Sequence, residues 1–184
     1  MDDVSVLQVL VADSVWVLQA SDYTDQQREA AIRLVYGIDT QLIRDGTYFV
    51  VEQDREIVGC GGWSRRRTLF GGDQHHPSRE DSLLDPASEP ARIRAFFVKP
   101  GWERRGFGSA LVRTCEHAAV AEGFRRIEMA STLTGVALYS VHGYREVERI
   151  DIPLEDGLTL PVVRMIKTVG RPESDQQSAG SWPC

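Results

Sequence analysis

The sequence predicts one α/β domain in which helices flank a mixed sheet. The first reason is the order of the periodic segments: helical patterns, two strand-like runs, alternating strands and helices, and two final strands. The second reason is composition, since 42% of the 184 residues are hydrophobic and 26% are charged, as in ordinary soluble domains. A chain of this length can bury a sizeable core without disulfides or metals.

The N-terminal part of the chain predicts helices. Residues 5–20 place apolar side chains on one helical face, and a strand over the first valines is the alternative. Thr24 is followed three residues later by Gln27, a capping-box pattern that predicts the start of a second helix. A short third helix is predicted within residues 38–46.

The middle of the chain predicts strands. Two β-rich runs flank residues 53–55, and this pattern predicts a hairpin over 47–64. Residues 91–98 predict another strand, which ends before Pro100 because proline cannot donate to a ladder. Between them, residues 68–90 are rich in glycine, proline and polar side chains and predict a long loop, a kind of segment that often carries function.

The second half of the chain alternates strands and helices before it ends in a polar segment. A helix is predicted from Gly106 to about Glu122. The residues after Val169 are polar, so we expect a disordered tail over 170–184 and a single domain over 1–169. The remaining predicted elements are a strand over 125–131, a helix over 134–143 and strands over 144–154 and 158–169.

Charge and cysteine usage argue against several classes of function. The net charge is −6 and the pI about 5.2, which disfavours non-specific nucleic-acid binding. The three cysteines lie far apart, so we expect no disulfide framework and no zinc site, and reduced thiols are the simplest interpretation. The N-terminus lacks a basic segment, and its apolar run is too short to span a bilayer. We therefore expect a cytoplasmic protein without metal, nucleic acid or membrane as a partner.

One stretch, VKPGWERRGFGSALV at residues 98–112, combines glycine and positive charge at the start of a helix. Helix N-termini bind phosphates, and glycine lets the backbone approach an anion closely. Arg104 and Arg105 add charge, and Ser109 adds a hydroxyl. An anion site and a merely structural basic turn both fit this pattern. The Walker and dinucleotide loops are excluded, because no Gly-Lys-Ser/Thr ending is present and Leu111 occupies the position of the third glycine.

Two longer motifs surround this turn. The segment IRAFFVKPGWERRGFGSALVRTCEHAAVAEGFRRIEMAST at residues 93–132 joins an apolar strand, Val-x-Pro, a glycine turn and a helix. The segment TGVALYSVHGYREV follows, with a tyrosine on a short helix, then Gly-aromatic and a strand. Over about residues 91–150 they resemble the ordered motifs of the GNAT superfamily, the acyl-CoA-dependent N-acetyltransferases. The resemblance implies the GNAT fold, a mixed and mostly antiparallel sheet, with the hairpin as its second and third strands.

The resemblance also implies an acetyl-CoA site. In the family, the end of the fourth strand lines the pantetheine arm, loop amides hold the CoA pyrophosphate, and a tyrosine protonates the departing thiolate. Tyr139 matches that tyrosine, and a purely core role is its alternative. The positions that match the cofactor-binding ones are Phe96, Phe97, Val98, Arg104, Arg105, Gly106, Phe107, Gly108 and Ser109.

The sequence departs from the family pattern at three points. Glu103 occupies the first loop position, where the family has Gln or Arg, and it places an acid near the phosphates. Thr132 stands where many members have Asn, so we expect it to bind the cofactor through a single hydroxyl. The family's first strand is expected to be missing, shortened or formed by residues 4–10.

The reaction further needs a base, or a water chain leading to one, that takes the proton of the acceptor ammonium. Glu128 is one candidate, and a solvated strand residue is its alternative interpretation. Trp63 is a candidate wall of the acceptor pocket. The other candidate bases are Glu89, Asp81, His75 and His76, and no third ligand with metal-site spacing accompanies the two histidines.

Together these features predict that an acetyl group passes from acetyl-CoA to a primary amine by direct attack, since no cysteine occupies an obvious nucleophile position. The acceptor is a small molecule or a peptide, which no motif identifies. Homodimers are common in the family, and nothing in the sequence specifies one. The alternatives are a non-catalytic acyl-CoA-binding or sensor domain on the same fold and a nucleotide-binding enzyme with the same glycine turn.

Overall fold

The computed structural model describes residues 3–73 and 82–170. Within these residues the chain forms five α-helices and one six-stranded sheet, in the predicted order. The predicted tail beyond Gly170 and the candidate bases His75, His76 and Asp81 lie outside the described residues. The helices are α1 (Asp3–Leu18), α2 (Asp25–Leu34), α3 (Thr40–Arg44), α4 (Phe107–Ala121) and α5 (Val136–Val141). The strands are β1 (Tyr48–Gln53), β2 (Glu56–Ser64), β3 (Ala91–Val98), β4 (Arg126–Thr132), β5 (Arg145–Pro153) and β6 (Thr159–Thr168).

The sheet is mixed and mostly antiparallel, as predicted. Its strand order is β1-β2-β3-β4-β6-β5. The neighbours β3 and β4 run parallel, and the other neighbouring pairs are antiparallel. No strand precedes α1 in the described residues, because residues 4–10 belong to that helix and direct Leu7 and Leu10 into the core.

Local sequence signals explain where α2 and the hairpin begin. The amide of Gln27 donates to the Thr24 hydroxyl at 3.2 Å, and the amide of Thr24 donates to the Gln27 side chain at 3.0 Å, so the predicted capping box is confirmed. In the hairpin, Asp54 and Arg55 both have positive φ, 52° and 65°. Two such residues form the type I′ turn whose twist matches that of paired strands.

The helices cover opposite faces of the sheet. On one face, Val112 and Cys115 of α4 pack with Ile127 and Met129 of β4. The helices α1 and α2 lie on the other face, where Val35, just after α2, packs against β5 and β6. A ligand that contacts both α4 and the N-terminal helices must therefore pass through the sheet.

None of the described helices combines the length and apolar character that a bilayer crossing requires.

Candidate active site

The parallel strands β3 and β4 separate soon after they begin. They are paired at Ala91 with Ile127 and at Arg92 with Glu128. Farther along, β3 stays paired with β2, and β4 stays paired with β6 up to Thr132. The sheet therefore opens into a wedge, along which one edge of β3 has no strand partner.

A bulge in β3 shapes the wedge. Ala95 has a φ of 56°, and the register with β2 shifts between Cys60 and Gly62. A bulge inserts one extra residue and so changes which face the following side chains point to. The Phe96 ring packs toward Tyr139, with 6.2 Å between ring centroids, whereas the Phe97 ring packs on the α1 side of the sheet.

A cavity of about 650 Å³ occupies the wedge and extends to both faces of the sheet. It begins at the turn before α4, passes between β3 and β4, and reaches the ends of α1 and α2. Of the eleven residues that the resemblance assigns to cofactor binding or to proton donation, the structure brings ten to its wall. They are Phe96, Phe97, Val98, Arg104, Gly106, Phe107, Gly108, Ser109, Thr132 and Tyr139.

The turn before α4 leaves backbone N–H groups available. Gly106 is the N-cap residue of α4, with a φ of 90°, and no side chain caps the helix. By contrast, Thr24 caps α2 and Asp39 caps α3. The first N–H groups of a helix need a partner from outside the helix, and an anion at the positive end of the helix dipole is well suited to that role.

The charged residues of this turn point in different directions. Arg104 and Glu103 are exposed and line the cavity. Arg105 does not line it, because its guanidinium lies over the Trp102 ring, 4.6 Å from the centroid. Trp102 also packs against Phe107, with 5.9 Å between ring centroids, and so helps to hold the turn together.

Tyr139 lies where the wedge meets α5. It is 6% exposed, and its ring packs between those of Phe96 and Tyr144. Burial raises the pKa of Tyr139 above its ordinary value of 10.0, so the hydroxyl is protonated at neutral pH. A protonated hydroxyl in a cavity can act as a proton donor.

The turn between β4 and α5 is closely packed, and Thr132 and Gly135 shape it. The Thr132 hydroxyl accepts a hydrogen bond from the Gly135 amide at 3.1 Å, which leaves its own proton free to donate. A Cβ at Gly135 would lie 2.9 Å from the Ser131 hydroxyl and 3.2 Å from the Tyr139 ring. A side chain at position 135 would therefore crowd the Ser131 hydroxyl and the Tyr139 ring.

A family model described as the acetyltransferase (GNAT) family matches residues 12–144, most of the chain. The chain belongs to the GNAT family. A search of curated protein sequences found no significant match.

Solved GNAT structures share the fold at low sequence identity. A GCN5-related N-acetyltransferase from Rhodopseudomonas palustris matches with a TM-score of 0.67 and 18% identity, over 91% of both chains. The PaiA N-acetyltransferase from Thermoplasma acidophilum, in complex with coenzyme A, matches with a TM-score of 0.61 and 13% identity, over 91% of this chain and 94% of that one. An aminoglycoside 6′-N-acetyltransferase complexed with coenzyme A matches with a TM-score of 0.54 and 16% identity, over 91% of this chain and 94% of that one. These likenesses confirm the predicted GNAT fold.

Glu128 does not line the cavity of this GNAT protein. It is 5% exposed and forms ion pairs with Arg92 and with Arg164, the latter at 3.0 Å. The interpretation of Glu128 as a solvated strand residue is therefore wrong. Its placement also gives no support to the predicted role as a base, because two arginines hold the carboxylate away from the wedge. Glu89, another candidate base, forms an ion pair with Arg67.

Trp63 and two cysteines lie in the core. Trp63 is 1% exposed and packs edge-on against Phe124, with 5.9 Å between centroids, so it does not wall the cavity. Cys60 and Cys115 are buried. Burial raises the pKa of Cys60 from 9.0 to about 11 and also raises that of Cys115, so both thiols are protonated at neutral pH. Within the described part of the chain, no group of three or more His, Cys, Asp or Glu side chains could hold a metal ion.

Sequence reasoning missed His142. Its Nε2 lies 2.9 Å from the Ser109 hydroxyl, which joins the end of α5 to the first turn of α4. The residue stands within the motif that contains Tyr139, but sequence spacing gave no sign that the two helices meet there.

Proposed function

We propose that this GNAT protein transfers an acetyl group from acetyl-CoA to a primary amine by direct attack. The observation that carries the proposal is the cavity, which connects the uncapped N-terminus of α4 with Tyr139 through the opened sheet. In acetyl-CoA the pantetheine arm separates the pyrophosphate from the thioester, and this cavity offers an anion site and a proton donor in that order. The CoA complexes of similar folds agree with such a ligand.

The chain's own groups fit acetyl-CoA along its length. Amides at the start of α4, together with Arg104, suit the pyrophosphate. The backbone edge of β3 from Phe96 to Val98, which has no partner in β4, suits the amide groups of the pantetheine arm. Thr132 adds a hydroxyl donor from the opposite strand. Arg105 is proposed to add positive charge beside the turn before α4, because its guanidinium lies over the Trp102 ring there.

The transfer needs few protein groups. The nitrogen of a neutral amine attacks the thioester carbonyl, the new C–N bond forms, and the C–S bond breaks. A backbone N–H near Val98 is proposed to polarise the carbonyl, and the Tyr139 hydroxyl to give its proton to the leaving thiolate. The proton of the amine is proposed to leave to water, because the two candidate bases within the described residues are both in ion pairs, Glu128 with Arg92 and Arg164, and Glu89 with Arg67.

Direct attack by the amine agrees with the protonation and the position of the described cysteines. A nucleophilic cysteine must be a thiolate and must reach the substrate. Among the described residues no cysteine lines the cavity, and burial keeps Cys60 and Cys115 protonated. An acetyl-cysteine intermediate therefore has no support from either residue.

The test is an assay of CoA release from acetyl-CoA with a panel of amines, run on the wild type and on Tyr139→Phe. Loss of a general acid lowers kcat by about 10²–10⁴-fold. Because phenylalanine keeps the ring, we expect calorimetric titration to give an unchanged Kd for CoA. Equal turnover by the two forms would remove Tyr139 as the acid.

Two other outcomes separate the alternatives. Binding of acetyl-CoA without turnover of any amine would favour an acyl-CoA sensor. A rise in Tm with ATP or NAD but not with CoA would favour a nucleotide-binding enzyme.

A further inference from the structure

We infer that the acceptor is an apolar primary monoamine, such as an alkyl or arylalkyl amine, rather than a polyamine or another polycation. The inference rests on the proposed function, and it concerns the end of the cavity remote from α4. We call this end the acceptor end. It is formed by the ends of α1 and α2, the loop 69–72 and the facing sides of β5 and β6.

The acceptor end lies across the sheet from the turn before α4. The loop 69–72 is fastened there, because the Gly72 amide donates to the Val35 carbonyl at 2.8 Å. Val35 in turn packs with Ile152 and Val162 of β5 and β6. A thioester that enters from the α4 side would therefore meet the acceptor in the wedge, with the remainder of the acceptor held on the α1 and α2 side.

The wall of the acceptor end is largely apolar. Aliphatic and aromatic side chains from five different segments converge on it. An apolar group bound there would therefore be removed from contact with water on all sides. The side chains that form this wall are Leu18, Val35, Leu69, Phe70, Ile152 and Val162.

The charge at this end does not suit a polycation. Among the described residues that line the whole cavity, the charged ones are Arg94, Glu103 and Arg104. Glu103 and Arg104 belong to the turn before α4, which leaves Arg94 as the charged lining residue of the acceptor end. Its guanidinium forms an ion pair with the fully buried Asp39 at 2.7 Å and donates to the Gly71 carbonyl. A second ammonium group on the acceptor would thus be desolvated beside the Arg94–Asp39 ion pair, and among the described residues no carboxylate lines this end of the cavity.

A neutral hydrogen-bond acceptor also lines the acceptor end. Gln19 is 6% exposed and lines the acceptor end, and its side-chain oxygen has no hydrogen-bond partner among the described residues. A buried amide oxygen without a partner is unfavourable, and one N–H of a bound amine can satisfy it. Because this acceptor is neutral, it offers an N–H group a hydrogen bond but gives a second ammonium group no counter-charge.

The experiment compares n-hexylamine with 1,5-diaminopentane at saturating acetyl-CoA. The two amines have equal numbers of heavy atoms, and a terminal methyl group in one replaces an ammonium group in the other. We expect kcat/KM for CoA release to be at least about tenfold higher with hexylamine. From propylamine to hexylamine it should rise by about fourfold per buried methylene.

Two variants at Leu69 test the role of charge. Leu69→Glu places a carboxylate in the apolar wall. It should lower the ratio of kcat/KM for hexylamine to kcat/KM for the diamine. Leu69→Gln has nearly the same shape without the charge, so it should lower turnover of both amines and keep their ratio. A fall in the hexylamine-to-diamine ratio of kcat/KM in Leu69→Gln, which adds no charge, would contradict the argument from charge.

The possible failures are distinguishable. A diamine preferred over hexylamine, or a flat alkylamine series, overturns this inference and leaves the acetyltransferase proposal standing. Transfer to no amine overturns both, and the Tm measured with CoA then shows whether the protein binds the cofactor at all.

Discussion

The imidazole Nε2 of His142 lies 2.9 Å from the hydroxyl oxygen of Ser109. The contact joins the end of α5 to the turn whose amides the proposed pyrophosphate site uses. Burial lowers the pKa of His142 below its ordinary value of 6.5. The charge of Glu116 opposes this shift, whereas Arg113 and Lys167 add to it. The neutral imidazole is therefore the form that suits the folded protein.

The first prediction concerns His142→Gln and pH. Because the folded pKa lies below the unfolded one, the contribution of neutral His142 to stability is complete above pH 6.5 and is lost as the pH falls through the lowered pKa. Glutamine can bond to Ser109 but does not titrate. Between about pH 7.5 and about pH 5, the free energy of unfolding in urea should therefore fall less in the variant than in the wild type. His117→Gln, at an exposed position of α4, is the control, and it should follow the wild type.

The second prediction concerns Gly61→Ala. A Cβ at this position would lie 2.4 Å from the Phe96 ring, so the ring must leave its place in the wedge. We expect a loss of about 1–3 kcal/mol in the free energy of unfolding and a higher Kd for CoA. At Gly59 on the same strand, a Cβ would come no closer than 3.4 Å to its nearest neighbour, so Gly59→Ala is the matched control. Equal Kd values for the two variants would show that Phe96 does not shape the CoA site.

The third prediction concerns Tyr23→Phe. The Tyr23 hydroxyl donates to the Pro161 carbonyl at 2.7 Å and accepts from the Leu133 amide at 2.8 Å. Burial raises the pKa of Tyr23 to about 12, so this hydroxyl remains a donor at neutral pH. Its removal leaves two backbone groups without partners and should cost about 1–3 kcal/mol of unfolding free energy.

The control for Tyr23→Phe is the same chemical change at Tyr139. In the described structure the Tyr139 hydroxyl receives no hydrogen bond, so Tyr139→Phe should change the unfolding free energy by less than about 0.5 kcal/mol. Urea unfolding of both variants measures the difference. Equal losses would mean that the hydrogen bonds of Tyr23 add nothing to stability.

The fourth prediction concerns Glu128→Gln. The carboxylate is buried between Arg92 and Arg164. The variant removes the ion pair of the buried Arg92, whereas Arg164 keeps its second ion pair, with Glu148 at 2.7 Å. We expect a loss of about 3–5 kcal/mol in the free energy of unfolding, with kcat of the folded fraction close to that of the wild type. A kcat reduced by about 10²-fold or more at retained stability would restore Glu128 as the base.

Local signals in the sequence account for most of the fold. The Thr24–Gln27 capping box and the turn at residues 53–55 were readable, because each depends on side chains and backbone angles within a few residues. The sequence left open whether residues 4–10 form a first strand or part of a helix. This was decided by packing, since the apolar positions of residues 4–10 meet the sheet through one helical face.

The candidate site was only partly readable. The residues around the glycine turn and Tyr139 come together as the motifs imply, because these motifs are tied to backbone geometry. The ion pairs of Glu128 and the contact of His142 were not readable from the sequence. Their partners Arg164 and Ser109 lie 36 and 33 residues away along the chain, and no spacing rule connects residues so far apart.

By itself, the sequence determined the order of helices and strands, the glycine turn and the family resemblance, since each of these depends on neighbouring residues. The tertiary structure alone decided where β3 and β4 part, which face each aromatic ring of the bulge takes, and which apolar residues close the acceptor end. The physical reason is that these features arise where segments distant in sequence compete for the same space. The outcome of that competition is set by packing across the whole sheet.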